Sequence, residues 1–355
     1  MLHDCQTEDF LSKKVLGANY STYNDLYIHV YQKLGYALRK PSPIECQNLH
    51  WHYVNLLPLA EVSPKSCDSV FNDWVSRASN YSAPSDAPRK PLNDQQQFQY
   101  TLLGSVPWSE WYINEIQTQE IAPEIWSRLY FTGMNNALRS KTAGLCKSHN
   151  QSHRSHEQEP CFPYSDSDNM HHAMRRVSLS GARVAVIGTQ HPWIEATALY
   201  LGAREVVTFE YKSMKMGHPA VQVLQPLNAA MKWKSIPPFD HVISFSSLEH
   251  SGLGRYGDPL GAFDDLVELR KAHCWLKPGG TFMLGVPMGR DELYFNACRV
   301  YGAIRVPLMF AIGYELIHFY TNGQDKDNMN ELGLAMSGGF GPQPVMVMKK
   351  TQWNR

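Results

Sequence analysis

Four apolar runs frame this sequence between Arg183 and Pro287: Val184–Ile187 ending at Gly188, Val206–Glu210, Phe239–Ser244, and a last run that follows Leu276-Lys277-Pro278-Gly279-Gly280 and extends to Pro287. Helical candidates lie between them. Short continuous apolar runs alternating with helices read as a parallel sheet buried on both faces. Ligands of such sheets sit at the carboxyl ends of the strands. The glycines and polar residues of this stretch cluster at those ends.

The rest of the chain sets bounds on function. Lys+Arg and Asp+Glu both number 33, so no net charge draws the chain to nucleic acid or an anionic membrane. No apolar run reaches the length of a membrane span, and no apolar h-region follows the residues from Met1 to Lys14. These features predict a soluble, cytoplasmic protein. Three glycosylation triplets, at Asn19, Asn80 and Asn150, keep a secretory reading open. The seven cysteines are odd in number, widely spaced and contain no CxxC pair, which argues against a zinc ribbon or a disulfide scaffold.

Three regions follow from the pattern. Residues 1–146 read as a mainly helical region. It holds an amphipathic helix over Asp25–Leu38, a polar loop over 79–97, and a helix opening near Pro123. Its tryptophans, Trp108 and Trp111 among them, read as core before they read as a platform for a sugar ring. Residues 147–172 read as a polar linker. His149, His153 and His156 have helical spacing there, but too few apolar residues accompany them to fix a metal geometry, and no metal site is assigned. Residues 173–355 read as the Rossmann-like α/β domain. Its strands include one from Tyr314 to Tyr320 and one from Pro344 to Lys350, with a polar loop between them able to cover a site.

The candidate site is assembled from this domain. Gly188 and Thr189 follow the first strand, where a helix start presents free N–H groups to a ligand. Only one glycine is present there, which counts against a dinucleotide fingerprint. Glu210 ends the second strand, 22 residues after Gly188. A carboxylate at that place suits the ribose hydroxyls of an adenosine-type cofactor.

Next comes the block from Ser246 to Leu260, Ser-Ser-Leu-Glu-His-Ser-Gly-Leu-Gly-Arg-Tyr-Gly-Asp-Pro-Leu. With the later Leu-Lys-Pro-Gly-Gly, it resembles the second half of a class I S-adenosylmethionine-dependent methyltransferase. It is more closely similar to a methyltransferase-like family catalogued as domain of unknown function 268. Gly285-Val286-Pro287-Met288-Gly289-Arg290-Asp291, Asn296 and Arg299-Val300-Tyr301-Gly302 extend that resemblance over roughly residues 170–350.

The resemblance implies a mostly parallel sheet whose last strand is antiparallel, with S-adenosylmethionine as cofactor. It makes Gly188, Thr189, Glu210, Ser246 and Glu249 candidate cofactor contacts. His250, Asp258 and Asp291 become candidate bases for a hydroxyl acceptor. Arg255, Tyr256, Asn296 and Arg299 become candidate acceptor contacts, with Asn296 and Arg299 three apart on an expected helix. Each has a plainer role: His250 as support, Asp258 as a turn cap, Asp291 as the cap of a helix from Glu292. The expected function is O-methylation of a small-molecule or glycan hydroxyl, without nucleic acid or a membrane span. The alternative is a non-catalytic binding domain, because Thr189, Gln190 and His191 replace the glycines usual in the first loop.

Overall fold

A computed structural model of the chain describes residues 66–91, 93–116, 166–321 apart from 213, 215 and 303, then 324–325 and 341–351. The expected helices over Asp25–Leu38 and from Pro123, and the histidines at 149, 153 and 156, lie outside the described residues.

The central strand is β2 (Arg183–Ile187), in which every residue is buried. It lies between β3 (Glu205–Phe209) and β5 (Phe239–Phe245), parallel to both. The edge strand β4 (Val221–Leu224) pairs with β3, and β6 (Leu276–Gly285) pairs with β5. Beyond β6 the chain adds β9 (Tyr314–Thr321), the two-residue β10 (Gln324–Asp325) and β11 (Val345–Lys350). The spatial order is β10-β9-β11-β6-β5-β2-β3-β4, with β11 antiparallel to both of its neighbours. The expected mostly parallel sheet with its antiparallel last strand is therefore present.

Both faces of the sheet are covered, which is why β2 is a continuous apolar run. Successive side chains point to opposite faces. Val184 and Val186 join one core with α3 (Ser167–Arg176) and α4 (Trp193–Tyr200). Ala185 and Ile187 join the other. That second face carries α1 (Cys67–Ser79), α5 (Pro226–Met231), α6 (Asp264–Trp275) and α7 (Arg305–Ala311). Residues 167–172, within the stretch read as a linker, form the first part of α3.

Helix α1 starts on a Ser66 cap, whose side chain accepts from Ser69 N–H, and buries Val70, Phe71, Trp74 and Ala78. Phe71 stacks on Trp233 with centroids 4.8 Å apart. A disulfide joins Cys67 to Cys274 of α6 across 207 residues of sequence. The cysteine spacing argued against a disulfide-built scaffold and gave no sign of this single bond. Spacing along the chain carries no information about a pair that packing brings together.

A second, three-stranded sheet joins the two parts of the chain. The strand β1 (Trp108–Trp111) runs parallel to β7 (Glu292–Asn296), which pairs antiparallel with β8 (Cys298–Val300). The helix expected through Asn296 and Arg299 is therefore two strands. Leu-Tyr-Phe and Cys-Arg-Val are rich in strand-favouring residues, and β1 supplies a partner from far upstream. Glu292 likewise opens a strand, so Asp291 caps no helix there. The short helix α2 (Asp94–Tyr100) is tied in by Tyr100, whose hydroxyl donates to the Gly252 carbonyl at 2.6 Å.

Candidate functional site

The chain runs from β2 to β3 and β4 on one side, then crosses back to β5 on the other. The carboxyl ends of β2 and β5 are thus a topological switch point, where doubly wound sheets bind ligands. Gly188 leaves β2 with φ +71°, its N–H donating to the Phe209 carbonyl at 2.9 Å. A Cβ at this position would collide with the side chain of Ser247. Glycine is therefore required both by the backbone angle and by the close approach of the two loops. Ser246 leaves β5 at φ +50°, in the left-handed region that non-glycine residues seldom occupy. Such outliers concentrate at functional sites.

A cavity of about 360 Å³ opens at this point. That lies within the range of roughly 300–1,000 Å³ usual for small-molecule sites. Its inner wall holds Gly188, Thr189, Glu210, Ser246 and Ser247, with Phe209 and Trp275 deeper. Phe209 and Trp275 stack with centroids 4.4 Å apart. Glu210 is 8 % exposed. Its Oε2 accepts from Thr189 N–H at 2.9 Å and its Oε1 from Lys212 N–H at 3.0 Å. Burial holds its carboxyl above the ordinary range, against the opposing pull of those amides.

The outer wall comes from two distant parts of the sequence. Arg255, Tyr256 and Asp258 belong to the loop after β5, while Trp111 and Ile113 follow from β1. Arg255 Nε donates to Glu115 Oε2 at 3.0 Å, and Glu115 N–H donates to the Arg255 carbonyl at 3.1 Å. Lys212 lies 5.4 Å from the centre of the Tyr256 ring. Trp111 is 45 % exposed at this wall, so it is not core as its composition suggested. Gln343, just ahead of β11, lines the cavity too and donates to Ser246 Oγ at 3.1 Å. Gln343 follows the expected covering loop, most of which, residues 322–323 and 326–340, lies outside the described residues.

His250 also lines the cavity. Its Nδ1 lies 2.5 Å from the Ala297 carbonyl, and its Nε2 lies 3.7 Å from Glu249 Oε1. Burial, together with the Arg255 charge, pushes its pKa down to about 3. The ring is neutral at physiological pH, so Nδ1–H is the donor to Ala297. Asp258 holds the turn: Oδ2 accepts from Gly252 N–H at 2.7 Å and Gly254 N–H at 3.2 Å, and Oδ1 from Tyr256 N–H at 3.2 Å. Burial raises its carboxyl to about 6.

Four of the residues singled out in the sequence stand away from the cavity. Glu249 is fully buried behind it, with neither carboxylate oxygen meeting a hydrogen-bond partner, and burial raises it to about 7. Asp291 accepts from the N–H groups of Gly302, Ile304 and Arg305 and so caps the start of α7. Asn296 exchanges two hydrogen bonds with Ile113, at 2.9 and 3.0 Å, and thereby sets the segment that lines the cavity. Arg299, 1 % exposed, donates to the carbonyls of Glu249, Ser251, Gly261 and Ala262 and pins the loop from below. Glu115 and Lys212 were missed, because no local pattern marks a residue whose partner, Arg255 for Glu115 and the Tyr256 ring for Lys212, lies on a distant loop.

The strand order, the antiparallel last strand and the cavity at the switch point define a Rossmann-like, class I methyltransferase fold. Residues 181–350 match the model of the family described as "Caenorhabditis protein of unknown function, DUF268". No curated protein matches the sequence. Among solved structures, a Streptococcus mutans protein described as a candidate SAM-dependent methyltransferase is similar at 9 % identity and a TM-score of 0.37, over 52 % of this chain and 49 % of its own. The chain thus spans about half the length of that protein. A Burkholderia thailandensis 1,6-didemethyltoxoflavin-N1-methyltransferase is similar at 15 % identity and a TM-score of 0.38, over 69 % of this chain and 100 % of its own. An S-adenosylmethionine-dependent methyltransferase from Mesorhizobium loti is similar at 14 % identity and a TM-score of 0.33, over 50 % and 96 %.

Proposed function

We propose that this chain is an S-adenosylmethionine-dependent methyltransferase acting on a hydroxyl of a polar acceptor such as a sugar. The observation that carries the reading is the joining of Glu210, Gly188 and Ser246 in one cavity with Arg255, Tyr256 and Trp111. The first group suits an adenosine-type cofactor. An ionised carboxylate has about four lone-pair sites. Two on Glu210 are engaged by Thr189 and Lys212, which leaves capacity for ribose hydroxyls. When bound, the cofactor supplies an electrophilic methyl group. The chain's own task is to orient the acceptor and take up its proton.

Arg255, held by Glu115, offers donors to acceptor oxygens, and the exposed Trp111 face suits an apolar sugar face. Asp258 lines the cavity, but both its oxygens accept from amides of its own turn, so its part in this reading is to hold the loop that carries Arg255 and Tyr256. His250 positions the loop through Ala297 and does not take the proton, because its nitrogens face the chain's own groups.

The test is calorimetric titration with S-adenosylmethionine and S-adenosylhomocysteine. Micromolar binding, reduced at least tenfold in Glu210→Ala, supports the reading and opens an acceptor screen starting with glycans. A second reading, a non-catalytic binding domain, draws on the Thr189, Gln190 and His191 side chains lining the first loop. Folded protein that binds neither compound at millimolar concentration would favour it.

A further inference from the structure

We infer that Asn80 is an N-glycosylation site and that the chain matures in an oxidising secretory compartment, where the Cys67–Cys274 disulfide forms. Both marks lie on α1, one at each end, and neither depends on the methyltransferase reading. This proposal replaces the cytoplasmic expectation.

Asn80-Tyr81-Ser82 is the only N-x-Ser/Thr triplet among the described residues, and its middle residue is not proline. Asn80 is the C-cap of α1, and both it and Ser82 are exposed. The buried face of the helix, with Phe71 and Trp74, turns into the core. Asn80 Nδ2 donates to the Ser76 carbonyl at 2.9 Å. A glycosylated amide nitrogen keeps one hydrogen, so this bond survives modification. Asn80 does not line the cavity, and a glycan there leaves the site open. A large polar group at this place is accommodated by solvent alone.

The second observation is independent. Cys67, the first residue of α1, and Cys274, near the end of α6, have Cα atoms 5.7 Å apart and are bonded. That separation lies inside the range of about 4.4–6.8 Å found for disulfides. A glutathione-buffered cytosol keeps such pairs reduced, whereas the secretory lumen oxidises them. The compartment that oxidises thiols is also the one that glycosylates asparagine, so the two marks agree on one location.

The experiment uses the endogenous full-length protein, with free thiols alkylated before lysis. Peptides are mapped by mass spectrometry before and after treatment with peptide N-glycosidase F in heavy-oxygen water. The expected result is Asn80 converted to labelled Asp by the enzyme, and a Cys67 peptide linked to a Cys274 peptide. Re-expressed Ser82→Ala removes the sequon yet leaves Asn80 and its bond to Ser76 in place, so it should lose the glycan and keep its fold. Unmodified Asn80 together with alkylated Cys67 and Cys274 overturns the inference. A glycan with both thiols alkylated overturns the disulfide half, and a linked pair with unmodified Asn80 overturns the glycan half.

Discussion

Replacing Glu249 with Gln tests the electrostatics behind the cavity. Glu249 is fully buried, its oxygens lack hydrogen-bond partners, and burial raises its carboxyl from the ordinary 4.5 to about 7. At about 1.4 kcal/mol per tenfold change in proton affinity, ionising it costs the fold about 3 kcal/mol. The folded value lies above the unfolded one, so its stabilising contribution is full below pH 4.5 and is lost as pH rises through 7. Between pH 5 and pH 8 about 2.5 kcal/mol of that loss is realised. The amide introduced by Glu249→Gln copies the protonated carboxyl and does not titrate. The stability of this variant relative to the parent should therefore improve by about 2.5 kcal/mol from pH 5 to pH 8. Other titrating groups, including Glu195, Asp258 and the buried histidines, are common to both proteins and cancel. Urea unfolding followed by tryptophan fluorescence at the two pH values measures the difference. A gap that stays constant with pH, or moves against the variant as pH rises, would refute the assignment of Glu249 as a neutral buried acid.

Three further outcomes follow from packing. Gly188→Ala places a Cβ against Ser247 at a positive φ, and should lower stability by about 1–3 kcal/mol in a thermal melt; an unchanged midpoint would show that the two loops do not meet as described. Arg299→Met removes four carbonyl contacts and leaves Asp265 facing one cation fewer, so it should cost about 3–5 kcal/mol. Hydrogen exchange should rise first in the loop from Glu249 to Ala262, and uniform exchange would argue against the pin. Cys274→Ser opens a bond that spans 207 residues and should lower stability by about 2–5 kcal/mol. Adding reductant should lower the parent's midpoint and leave the variant's unmoved.

The inner half of the candidate site was legible because each of its parts is local. Gly188 and Glu210 sit at the ends of apolar runs, and strand ends are readable from period and punctuation. The switch point then places them together without knowledge of any side-chain contact. Asn296 and Arg299 were misplaced for the opposite reason. Their segment carries no helical period strong enough to decide, and the choice between helix and strand fell to a partner strand from the N-terminal part. Asp291 was read as a cap, which it is, but of α7 and not of a helix from Glu292. Caps can be recognised by residue type, whereas the amides they satisfy are fixed by where the chain returns.

By itself, then, the sequence determined the alternating strands and helices, the glycine turn after β2 and the carboxylate after β3, since hydrophobic period and backbone freedom are properties of neighbouring residues. Only the tertiary structure decided that β1 lies beside β7, that Glu115 holds Arg255, that Trp111 stands exposed at a cavity wall, and that Cys67 meets Cys274. Each of those is a contact across a long loop. Its free energy depends on the closure of the whole core around it, and no local pattern in the residues encodes that closure.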